Sequence, residues 1–156
     1  CKKNRMDNYS IMKHAHSGLR WVILILLIAA IVNAARSIGS GNYLKKDKMI
    51  NLFAMIFLHT QFLVGLILYF LSPKVSFEGG WMKDPVSRFY GLEHLLMMLL
   101  AIVLITIGRS RAEKKLEGTR NKHRAIFISY TIGLLIILAS IPWPFGPWAS
   151  LGGQMG

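Results

Sequence analysis

The stretch INLFAMIFLHTQFLVGLILYFL, Ile50 to Leu71, decides the fold. It carries no charged residue, and its length matches the roughly 20 predominantly apolar residues that a bilayer-spanning helix needs. Working outward, three more blocks of the same kind appear: Trp21 to Ala35, Phe89 to Ile107 and Ala125 to Ile141. The charges are pushed into the gaps between them. Overall, 53% of the 156 residues are hydrophobic and only 17% are charged, against about a quarter in soluble domains. Mean hydropathy is +0.43. The expected class is all-α, an integral membrane protein built as an up-down four-helix bundle, because short loops make sequential helices antiparallel neighbours.

Four spans use most of the chain, so no segment is left for a separate soluble domain. Residues 1–20 read as an N-terminal head and outer rim, 21–141 as the membrane domain and 142–156 as a Pro/Trp-rich interfacial tail. The second span stops at Ser72-Pro73, since proline cannot continue the helix. The middle loop, with Gly79-Gly80-Trp81 and Asp84-Pro85, is expected along the surface, with Trp81, Phe89 and Tyr90 at headgroup level. After Ile141 the run Pro142-Trp143-Pro144-Phe145-Gly146-Pro147-Trp148 suits an aromatic belt.

A net charge of +12 would serve a nucleic-acid binder, but these basic residues flank hydrophobic spans. Anionic lipid and the insertion machinery account for them there, and nucleic acid is excluded as a partner. The first and third loops hold 11 of the 19 basic residues, Arg36 to Lys48 and Arg109 to Arg124, leaving 8 on the other side. The positive-inside rule puts those loops in the cytoplasm and both termini outside, in a bacterial inner membrane. The single cysteine, Cys1, excludes an intrachain disulfide or a cysteine-rich cluster. It reads either as an acylated terminus or, preferably, as an unmodified residue upstream of Met6 or Met12.

Five histidines are present, and an imidazole at membrane depth normally faces the bundle interior with a partner or a task. At about 1.5 Å per residue, His59 lies roughly 16 Å from the Lys48 edge. Counted from Arg88, His94 lies roughly 9 Å from the opposite edge, which puts the two within about 5 Å in depth. Two neutral imidazoles on facing helices are what a haem iron takes as axial ligands. Gly91 and Ala101 fall on the His94 face at helical spacing and would leave room for a flat macrocycle, with Met97 and Met98 packed on it. The competing reading is that each histidine hydrogen-bonds a neighbouring helix.

At the rim, His16 and Arg20 are four residues apart and share a face. His16 could ligate, and Arg20 could pair with a propionate or a quinone oxygen. In the bland reading, Arg20 and Trp21 are interfacial anchors and His16 a solvated residue. Glu93 is expected to pair with Arg20, and His123, between Lys122 and Arg124, to lie on the surface. Asn33, Thr60 and Gln61 can be satisfied by hydrogen bonds between helices.

Several stretches resemble the small four-helix bacterial membrane proteins labelled as b-type cytochromes: HAHSGLRW from His14 to Trp21, Asn51-Leu52-Phe53 through His59, Glu93-His94, and Ile141-Pro142-Trp143-Pro144-Phe145. The resemblance implies haem b and electron exchange with quinol. The chain departs from better-known di-haem bundles in lacking a histidine in the middle of the fourth span, so one haem is expected. Its ligands would be His94 with His59 or His16. The alternatives are an accessory subunit of a larger membrane complex without a cofactor of its own, and proton conduction by His59, Glu93 and Arg20.

Overall fold

The computed structural model describes residues 2–143, with side chains from residue 6 onward. The expectations attached to Cys1 and to the tail beyond Trp143 fall outside these residues. Four helices carry the fold: α1 (Lys2–Ser37), α2 (Lys45–Leu71), α3 (Pro85–Lys114) and α4 (Thr119–Ser140). All four are long and apolar enough to cross a membrane, and no strand occurs among the described residues. The integral membrane four-helix bundle expected from hydropathy is therefore present. In space α1 packs on α2 and α4, and α4 packs on α3; among these neighbours in the bundle, α2 and α3 have the thinnest seam. One end of the bundle, the terminal end, carries the start of α1, the middle loop and the end of α4; the other, the loop end, carries the first and third loops.

The polarity of the packing is that of a protein in lipid. Leu27, Ala30, Ala54, Ile105 and Ile126 are fully buried, whereas Ile25 is 67% exposed and Phe70 71% exposed. An outer surface of that kind would be a liability in water and is the ordinary face toward acyl chains. Without a hydrophobic force between helices in lipid, close approach at small residues takes over. On the α3–α4 seam a side chain added at Gly133 would meet Ile105 Cδ1 at 2.6 Å, and one at Gly108 would collide with Ser129.

The expected head is not a separate element. It is helical and continuous with the first span, so α1 runs 36 residues, roughly 54 Å. That exceeds the roughly 30 Å hydrocarbon core, and its first turns stand at the terminal end. Tyr9, Lys13, His16 and Arg20 follow one another at spacings of three and four on this extension, which places them on a single stripe.

The loop end is tied by buried polar groups. Asp47, 2% exposed, accepts 2.7 Å hydrogen bonds from Asn33 Nδ2 and from the Leu44 amide. Tyr43 donates to Glu113 Oε1 at 2.6 Å, and Asn51 Nδ2 donates to Tyr43 Oη at 3.3 Å. Burial, then the Glu113 hydrogen bond, raise the Tyr43 phenol above its ordinary value, which keeps it a donor. Tyr130 reaches the Asn51 carbonyl at 2.7 Å. His123, expected on the surface, is fully buried and hydrogen-bonds the Asn42 carbonyl through Nε2 at 2.9 Å. The first loop folds over the start of α4 there, while Lys122 and Arg124 turn to other faces.

Replacing Gly133 with Leu should lower the thermal unfolding midpoint in detergent, by the equivalent of about 1–3 kcal/mol for overpacking. Trimming Ile105 to Ala in the same protein should recover part of the loss. Circular dichroism melts check both.

Candidate functional site

The first half of α3 is not a plain α-helix. Residues Pro85–Arg88 are α-helical, Phe89–Glu93 form one π-helical turn, and His94–Lys114 return to α. Asp84 starts the segment by accepting hydrogen bonds from the Ser87 amide at 2.8 Å and the Ser87 hydroxyl at 2.6 Å. These contacts hold its exposed carboxyl below the usual range. π turns insert one residue and are frequent at functional sites. Here the extra residue re-aims everything around it.

Several expectations fail in this segment. Glu93 does not pair with Arg20, because Arg88 Nε donates to Glu93 Oε1 at 2.7 Å, an i, i+5 relation that a π turn aligns. Gly91 opens no space beside His94; a side chain there would point at the Phe77 and Trp81 rings, 3.6–3.9 Å away. Ala101 is fully buried, with its carbonyl against Gly133 on the α4 seam. Phe89, expected at headgroup level, is 0% exposed and lies 5.7 Å from the His94 ring, centroid to centroid. Tyr69 takes up the Gly91 carbonyl with a 3.0 Å hydrogen bond.

His94 is aimed by the end of α4. Pro142 has no amide to continue the helix, so the carbonyls of its last turn lack helical partners. Ser140 Oγ serves Ile137, Trp143 Nε1 serves Leu138, and His94 Nδ1 lies 3.0 Å from the Ser140 carbonyl. A carbonyl only accepts, so the proton sits on His94 Nδ1 and the lone pair on Nε2. The His16 ring stands beside it, with centroids 6.5 Å apart and planes at 69°. Gln61 Nε2 fixes the backbone there through a 2.8 Å bond to the His16 carbonyl. On α2, Gly65 permits the close approach: a Cβ there would sit 3.1 Å from His16 Cε1.

His59 is not brought to this pair. Its Nδ1 donates to Met55 O on its own helix at 2.8 Å, and its Nε2 faces Thr106 Oγ1 at 3.5 Å. Thr106 lies 12 residues beyond His94 on α3, roughly 18 Å along the axis. The depth count misleads because α2, at 27 residues, spans roughly 40 Å, more than the roughly 30 Å core. Residues of α2 measured from Lys48 therefore do not map simply onto α3 measured from Arg88.

His16, Arg20 and His94 line one cavity of about 180 Å³ between α1, α2, α3 and the end of α4. Its floor is apolar, with Ile23, Leu58, Met98, Ile102 and Ile137, and its rim carries Tyr9, Lys13, Tyr69, Lys74 and Tyr90. Among the described residues, four buried atoms without a hydrogen-bond partner belong to its lining: His16 Nδ1, Arg20 Nε, Gln61 Oε1 and Tyr90 Oη. The Arg20 guanidinium also lies 5.4 Å from the Trp21 ring centroid. An apolar cavity with a few convergent, unsatisfied polar groups is the usual form of a small-molecule site.

Of the lining, the sequence pointed to His16, Arg20, His94 and Met98. It missed Gly65, Gln61 as a lining residue, and the Ser140 carbonyl. Only the Pro142 helix stop, which frees that carbonyl, leaves a local signal. In comparisons with known proteins the chain matches no family model, no curated protein and no solved structure.

The Tyr69 contact can be checked alone. Tyr69→Phe should lower unfolding stability by about 1 kcal/mol, the typical net value of one hydrogen bond. Chemical denaturation in mixed micelles measures it, and an unchanged midpoint would show that Tyr69 does not hold the π turn.

Proposed function

We propose that the chain is a membrane-embedded electron carrier that holds one haem b between His16 and His94. It would exchange electrons with membrane quinol and with a membrane-protein partner. The observation that carries this reading is the imidazole pair, 6.5 Å apart between centroids, with His94 Nδ1–H committed to the Ser140 carbonyl. Two imidazoles on one ion at about 2.1 Å per bond place their centroids about 6–6.5 Å apart. Ligating histidines characteristically donate the other ring nitrogen to a carbonyl or carboxylate, which fixes the tautomer.

The donor set fits haem better than a bare ion. Among the described residues no group of three or more His, Cys, Asp or Glu is placed to hold a metal, and a structural zinc site wants about four protein ligands. Haem iron brings four nitrogens of its own and would supply one-electron chemistry, with His16 and His94 as the residues that would hold it. Arg20 lies one helical turn from His16 and would pair with a carboxylate of the group, while Ile23, Met98, Ile102 and Ile137 exclude water. The cavity of about 180 Å³ is below the roughly 300 Å³ of a typical cofactor pocket. Seating a macrocycle therefore calls for side chains to move, and the α2–α3 seam is the thinnest between neighbouring helices. The charge asymmetry of 11 against 8 basic residues supports placing this end outside a bacterial inner membrane.

A second reading is favoured by the volume. A quinone ring would fit the same cavity without rearrangement, since a cavity of about 150 Å³ already accepts benzene in another protein. Arg20 Nε and Tyr90 Oη would donate to its oxygens. A reduced-minus-oxidised spectrum of protein purified in mild detergent separates the two. The haem reading expects a b-type band that His94→Ala and His16→Ala both abolish and His59→Ala keeps. Absence of the band from gently purified protein overturns it. Co-purified quinone that falls on Arg20→Ala would then support the second reading.

A further inference from the structure

We infer that the cavity selects the reduced form of a ring ligand, a hydroxyl-bearing aromatic such as a quinol, and that the Gln61 side chain makes the choice. This rests on the second reading above, a single ring in the cavity, and goes beyond it in assigning the redox form and the residue that reads it. The inference follows from what each unpartnered atom of the lining can do. Gln61 is 8% exposed. Its Nε2 donates to the His16 carbonyl at 2.8 Å, and because a carbonyl only accepts, the amide cannot be turned the other way round. Gln61 Oε1 is therefore a pure acceptor, buried in the lining without a partner. Arg20 Nε, also buried there without a partner, is a pure donor. Tyr90 Oη and His16 Nδ1 can serve in either sense.

A ligand that satisfies this set must donate a hydrogen bond as well as accept one. The oxygens of a quinone only accept, so a quinone answers Arg20 and leaves Gln61 Oε1 stranded. A quinol hydroxyl answers both. The two protein atoms belong to one wall, since Gln61 is bonded to the backbone of His16 and Arg20 stands one helical turn farther along α1. Water could satisfy the same atoms but would gain nothing over the apolar floor of Ile23, Met98, Ile102 and Ile137, and apolar space of this kind stays dry. Leaving a buried acceptor unsatisfied is worth about tenfold or more in affinity. A ring held about tenfold tighter when reduced has its two-electron potential raised by about 30 mV.

The purified protein in neutral detergent is titrated, without oxygen, with hydroquinone and with its dimethyl ether, which keeps the ring and both acceptor oxygens but has no proton to donate. Wild type should bind hydroquinone about tenfold or more tighter. Gln61→Leu should bring the two affinities together, and Gln61→Glu, which keeps an acceptor at this position, should retain the preference. Arg20→Gln should weaken both ligands alike. Equal binding of the two by wild type, or a preference that survives Gln61→Leu, overturns the assignment while leaving the single-ring reading standing. Failure of wild type to bind either ligand removes that reading and this inference with it. Should circular dichroism show Gln61→Leu unfolded, the wild-type comparison and Gln61→Glu still decide, and loss of the preference in Gln61→Glu counts against the assignment.

Discussion

Hydrocarbon offers no hydrogen-bond partner, so every polar group carried into the bilayer must be satisfied by the protein itself or by something the protein binds. Backbone groups meet this requirement inside the four helices. Side chains meet it unevenly. At the loop end, Asp47, Tyr43, Asn51 and Tyr130 close a network between the first loop and all four helices. At the terminal end, His16, Arg20, Gln61 and Tyr90 each leave a buried atom without a partner around one cavity. Unpartnered atoms are not confined to the terminal end, since Asn51 Oδ1, His123 Nδ1 and Arg109 Nε are also buried without a partner; what sets the terminal end apart is that its four line one cavity.

The loop end and the terminal end also do different mechanical work. Loop-end hydrogen bonds join residues far apart in sequence, such as Tyr43 to Glu113 and His123 to Asn42, and so fix the register of α2, α3 and α4. With the register fixed, the terminal end can tolerate a cavity and a π turn. One inserted residue rotates the remainder of the helix by about 100° relative to a regular one. That rotation stacks Arg88 with Glu93, turns Gly91 toward Phe77 and Trp81, and leaves His94 facing α1 and the end of α4.

Hydropathy made the four spans legible because span length is imposed by the bilayer and recorded in consecutive residues. Loop positions were legible for a similar reason: Ser72-Pro73 ends α2 where the ring forbids another turn, and α2 ends at Leu71. The site was only half legible. His16, Arg20 and His94 stood out as polar residues near or within the membrane, but choosing between His16 and His59 as the companion of His94 required interhelical register. Counting depth from charged edges does not supply it when α2 is longer than the membrane is thick. The π turn has no sequence signature here, and the expectation for Gly91, built on a 3.6-residue period, failed with it; Ala101 shares the regular α segment of His94 but is taken up by the α4 seam. His123 was misread because its charged neighbours were taken to describe its own face, whereas residues one apart on a helix point about 100° apart.

The histidines of the membrane-spanning segments differ in the state of their two nitrogens. His59 has both engaged, Nδ1 with Met55 O and Nε2 with Thr106 Oγ1, so it needs nothing further. His94 has Nδ1 spent on the Ser140 carbonyl, which leaves Nε2 with its lone pair. His16 has a buried Nδ1 with no partner and packs against Gly65, where a Cβ would sit 3.1 Å from its Cε1. A core evolved only to pack would fill that space with carbon, since an unsatisfied buried polar atom costs about 1–3 kcal/mol. An unpartnered His16 nitrogen beside the His94 ring, over an apolar floor, favours a site whose remaining valence belongs to a bound group.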